Sequence, residues 1–145
     1  MKKTRFITVV GLAASLLAAI PFPIKAETPA EEATKSASEG RYADSVQKFE
    51  EAIRGEPKNA SLHLGLGLAY QSLQKYPEAF QALEKAARLG PDSLEAHYSL
   101  GLLCEAAASD PSIMRESKSD VVERRYWRKA LEAWEKVIRL GKDTK

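Results

Sequence analysis

The sequence is short of most residues that chemistry on proteins relies on. Its single cysteine, Cys104, excludes a disulfide within the chain and any cluster of thiolates around a metal. Only two histidines occur, His63 and His97, and neither stands in a His-x-x-His or Cys-x-x-Cys setting. There is no glycine-rich loop of the kind that cradles phosphate and no nucleophile elbow. No catalytic residue, no metal site and no cofactor is therefore read from the chain, and it is not read as an enzyme. An excess of one charge is missing too: 22 basic residues stand against 20 acidic ones, a net of +2, which is a poor argument for nucleic acid as a partner. Long hydrophobic runs are absent apart from one, at the N-terminus.

That run, "FITVVGLAASLLAAI" from Phe6 to Ile20, follows the basic start "MKKTR" and precedes "PFPIKA", which ends on the small residue Ala26. A basic start, an apolar centre and a small residue at the exit are the parts of a secretory signal peptide. Fifteen apolar residues before Pro21 fall short of the ~20 that span a bilayer. The expectation is a signal segment over 1–26, cut after Ala26, and a mature chain over 27–145 that is periplasmic or secreted from a bacterium. Contact with a membrane would arise only through this segment if it stayed uncleaved. Cleavage removes Lys2, Lys3, Arg5 and Lys25, so the mature chain is slightly acidic. What remains, about 119 residues, is one domain's worth of chain.

A shift of 34 residues lays the sequence on itself. Tyr42 meets Tyr76, Phe49 meets Leu83, Ala52 meets Ala86 and Pro57 meets Pro91; His63 meets His97, Leu66 meets Leu100 and Gly67 meets Gly101. A fixed period of this size marks stacked supersecondary units. Apolar residues within each unit recur at spacings of three and four, the period of a helix, and "GEPKN", "LGPDS" and "LGKD" stop them. The fold expected is all-α: a short α-solenoid of about three helix-turn-helix repeats, over about 27–59, 60–93 and 94–141. The third matches only if 17 extra residues are allowed, an insertion at about 109–125. The first helix of the first unit, "TPAEEATKSASEG", has few apolar residues and is expected to be short and weakly packed.

The segment "ASLHLGLGLAYQSLQKYPEAFQALEKAARLGPDS" resembles a tetratricopeptide repeat over its whole length. The resemblance rests on His63 at a bulky position, Leu66-Gly67, Tyr70, Ala79, Leu83, Ala86 and Pro91, and it extends more loosely over about 29–140. It implies two antiparallel helices per unit, with Gly67 and Ala79 at their crossing. Glycine costs a helix about 1 kcal/mol relative to alanine, and close packing at the crossing offsets that for Gly67 and Gly101. Gly67→Ala should then be mild and Gly67→Leu severe. Gly65 lies outside the small-residue positions and is left without a reason.

The resemblance also implies a concave surface, built by the first helices, that holds a segment of another protein. Counting along the repeat places Leu64, Leu68 and Ser72 there from the second unit, and Glu95, Tyr98, Leu102 and Ala106 from the third. The Lys and Asn clamp with which some members grip a C-terminal carboxylate is not matched, since Leu64, Gly65 and Leu68 stand at those positions. The expected function is scaffolding of a protein or peptide partner in the cell envelope through an apolar groove. The alternative is a structural module that self-associates, or serves as a subunit, through an uncovered last helix whose apolar edge is Trp127, Leu131 and Ile138. Ala130, Trp134 and Val137 should face back into the array, and the candidates to cover the edge are the insertion, through Ile113, Met114 and Val121, or a second protein. Cys104 occupies the position of a repeat tyrosine and is expected to be a buried, unreactive thiol. The basic group Arg124, Arg125, Arg128 and Lys129, diluted by Asp120, Glu123 and Glu132, is expected to be a solvated helix face.

Overall fold

The computed structural model describes residues 27–110 and 120–143. They form six helices and no strand: α1 (Pro29–Ser38), α2 (Tyr42–Gly55), α3 (Ala60–Ser72), α4 (Tyr76–Leu89), α5 (Leu94–Ser109) and α6 (Asp120–Asp143). The signal segment, together with Ile113 and Met114, lies outside the described residues, as does the side chain of Val121.

Starts and stops repeat with the sequence period. Asn59 and Ser93, one repeat apart, cap α3 and α5 by accepting from the backbone N–H groups of Ser61 and Ala96. The first helix has a stronger start. Thr28 Oγ1 accepts from the Glu31 N–H, the Glu31 carboxylate accepts from the Thr28 N–H, and Pro29 opens the helix. Each helix packs on its neighbours in the chain. In addition α1 touches α3, and α3 touches α5, so the three first helices line one face of the array.

Buried side chains form two cores. One joins α1, α2 and α3 through Ala33, Val46, Phe49, Leu62, Leu66 and Ala69, with Ala82 from α4. The other runs through α4, α5 and α6 around Phe80, Leu83, Leu100, Leu103, Cys104, Tyr126 and Ala130. Tyr126 meets Phe80 edge-on, with ring centroids 5.3 Å apart.

Two expectations change in detail. The first helix is short, but it is not loosely held. Ala33 has no exposed surface, Ser36 is buried, and the buried Ser45 hydroxyl donates to the Ala33 carbonyl at 2.9 Å. Ala33 is the one-repeat equivalent of Gly67, so small residues perform the close approach that larger apolar ones could not. The last helix begins at Asp120, six residues before Tyr126, so part of the sequence read as insertion is helix.

Candidate protein-binding groove

Glycines set how closely the helices approach. A Cβ on Gly67 would stand 2.6 Å from both Cγ and Cδ2 of Leu83 and 3.2 Å from its backbone N. Trp134, which matches Leu83 once the insertion is allowed for, lies over Gly101 in the same way, 2.9 Å from the position of its missing Cβ. The partner of Gly67 is thus Leu83; Ala79, fully buried about one turn earlier on α4, belongs to the same α3–α4 packing. Gly65 has a reason as well: its missing Cβ would fall 2.4 Å from the ring of Phe49. The glycine lets the tip of an aromatic ring from the first unit reach the first helix of the second.

That approach shapes an apolar hollow of about 540 Å³ between α1 and α3. Leu64 and Leu68 form one wall, Ala30, Thr34 and Ala37 of α1 the other, and Phe49 with Gly65 lies between. Glu95, exposed at the start of α5, stands at the rim. Of the residues placed on the concave surface by the sequence, three line this hollow: Leu64, Leu68 and Glu95. Tyr98 and Leu102 are exposed on α5 outside it, and Tyr98 packs edge-on against Trp134 at 5.4 Å. Ser72 is exposed and donates its hydroxyl to the Leu68 carbonyl of its own helix, and Ala106 is exposed on α5. Ala30, Thr34 and Phe49 are not among the groove residues that the sequence indicates. The period contained the signal, because Ala30 matches Leu64 and Thr34 matches Leu68 one repeat back.

The polar groups around the array serve packing. Each histidine bonds through Nε2 to a carbonyl six residues earlier, His63 to Pro57 O and His97 to Pro91 O, both at 3.0 Å. A carbonyl only accepts, so Nε2 carries the proton in each. Tyr70 donates to the Glu50 carboxylate at 2.7 Å, tying α3 to α2; burial first, and then this bond, push the phenol up to about 12. Cys104, at the equivalent position in α5, is fully buried, and burial pushes its thiol up to about 12. Within the basic group, Lys129 pairs with Glu132 and Glu84, and the Arg125 guanidinium lies over the Phe80 ring at 5.4 Å. Among the described residues no group of three or more His, Cys, Asp or Glu is placed to hold a metal ion, and no described helix is long and apolar enough to cross a membrane.

Stacked helical hairpins with a groove along their first helices define a helical-repeat binding module. The chain belongs to the tetratricopeptide repeat family, whose model matches residues 36–93 and 71–110, together more than half of the sequence. Repeats of this family mediate protein–protein interaction or scaffolding and are in general not catalysts. No curated relative matches the chain.

Proposed function

We propose that this chain is an exported scaffold that holds an apolar segment of a partner protein in the hollow between α1 and α3. The observation that carries the reading is the hollow itself: about 540 Å³, open to solvent, walled by Leu64, Leu68 and the alanines of α1, with Phe49 between the walls. Leu68 is 38% exposed beside a mostly apolar wall, so burying it on a partner gains free energy at ~25 cal/mol per Å². Such surfaces suit a helix presenting apolar side chains three and four apart, or an extended segment. The N-terminal segment supports export, and a mature chain that begins at Glu27 leaves α1 whole, since its cap is Thr28.

Two measurements test the reading. A photo-crosslinking side chain at Leu68 should capture a partner in native envelopes, whereas one at Gln81, exposed on α4, should not. Leu68→Glu should reduce binding of the captured partner at least about tenfold with unchanged helicity by circular dichroism. Equal capture at both positions would remove the groove from the account. Intact mass of the protein from its native host should correspond to Glu27 as first residue; a full-length mass would remove the cleavage.

A further inference from the structure

In the second repeat Tyr76, Phe80 and Ala87 of α4 belong to the core shared with α5: Phe80 and Ala87 are buried and Tyr76 packs against them. Allowing for the 17 inserted residues, the same positions in α6 are Trp127, Leu131 and Ile138. There they are 47%, 60% and 58% exposed. With Trp134 between them they follow one another at spacings of four, three and four, the alternation that makes a straight apolar seam along a helix. Trp134 takes part with its outer edge, since its ring is half-buried over Gly101 and against Tyr98.

The charges beside the seam indicate what covers it. Arg128 and Glu135, each one residue beyond a tryptophan, border the same outer side of the seam at an interval of seven, two turns of helix. Both are exposed, and among the described residues neither forms an ion pair. A second α6 laid antiparallel, with Leu131 facing Trp134 and Trp127 facing Ile138, brings Arg128 of one copy beside Glu135 of the other. The two-fold axis repeats the pair, because in such an interface each contact occurs twice. By sequence position a parallel second helix would bring Arg128 beside Glu123 but leave Glu135 opposite Ala130, so only the antiparallel arrangement gives Glu135 a charged partner. The helix dipoles also oppose favourably only in the antiparallel arrangement.

We infer that two copies of this chain pair antiparallel along α6 about a two-fold axis, with Trp127, Leu131, Trp134 and Ile138 as the seam and reciprocal Arg128–Glu135 ion pairs at its border. Four side chains on one helix make a small contact, which sets the test at micromolar concentrations and above. Its face is α6, whereas the groove lies between α1 and α3, so the two readings stand or fall separately.

Sedimentation velocity on the full chain, purified as the cell processes it, tests this across a concentration series from about 1 to 500 μM. A monomer–dimer equilibrium is expected. Arg128→Glu and Glu135→Arg should each raise the dimer dissociation constant at least about tenfold, because each sets two like-charge pairs at the axis. The double reversal, Arg128→Glu with Glu135→Arg, should return it to within about threefold of the parent. That rescue cannot come from a folding defect, since both positions are exposed, and circular dichroism should match throughout. A monomer at every concentration overturns the inference. A dimer unaffected by the single reversals, or one that the double reversal weakens further, overturns it equally.

Discussion

A Cβ at Gly67 would meet not only the Leu83 side chain but also the Leu83 backbone at 3.2 Å, and Leu83 has no exposed surface. The side chain has nowhere to retreat, so α3 and α4 must separate. The sequence alone argues that Gly67→Ala is mild, because alanine restores helix propensity; the geometry reverses this. Overpacking of this kind costs about 1–3 kcal/mol, which exceeds the propensity gain of about 1 kcal/mol. Gly65→Ala should be destabilising for the same reason, through the Phe49 ring. Gly55→Ala, with nothing within 4 Å of the new atom, should be neutral or slightly stabilising. Urea midpoints of the three variants check the ranking; a Gly67→Ala midpoint at or above the parent's would show that the crossing has slack.

Helix connections repeat as faithfully as the helices, with one substitution that carries strain. Between α1 and α2 the chain turns through Gly40 at φ +76°, and one repeat later, between α3 and α4, it turns through Gln74 at φ +58°. The left-handed region is open to glycine and costs other residues roughly 1–2 kcal/mol. Gln74 is exposed, so its side chain offers little packing in return. Gln74→Gly should therefore raise stability by up to about 1 kcal/mol, the strain relieved less the entropy that glycine adds to the unfolded chain. Thermal unfolding of this variant beside Gly40→Ala, which should lose stability, measures the turn from both directions. A stabilising Gly40→Ala would contradict the argument.

Across the whole molecule the buried Cys104 thiol and the half-buried Tyr70 phenol couple stability to alkali, and burial raises the Tyr126 phenol in the same direction. The Cys104 thiol and the Tyr70 phenol are each held near 12, against ordinary values of 9.0 and 10.0. A group whose folded pKa is raised binds its proton more tightly in the native state. The stability it contributes is complete below the unfolded pKa and is lost as pH rises through the folded one. Unfolding free energy should therefore hold steady to about pH 9 and decline toward pH 12 through these groups. Cys104→Ala should flatten the early part of that decline, and Tyr70→Phe the later part. At pH 8 the thiol should resist a disulfide reagent in the native protein and react fully in urea. Rapid labelling of the folded chain would mean that α5 opens locally.

The period of 34 residues is written in the sequence, and with it the helical class, the hairpin units, the stop signals between helices, and the pairing of Gly67 with an apolar residue of the following helix. Those features depend on local spacing, and local spacing is what a sequence displays. Which residues form the groove was decided by contacts between units. Phe49 reaches forward onto Gly65, and α1 closes the hollow with small side chains, so the hollow lies one repeat earlier than Tyr98 and Leu102 indicate. The apolar edge of α6 is legible in the period, since Trp127, Leu131 and Ile138 occupy the places of buried residues in α4; the tertiary structure adds how far each is exposed, 47%, 60% and 58%. Apolar spacing specifies a face on a helix; what that face meets is fixed by the neighbours that assembly brings to it.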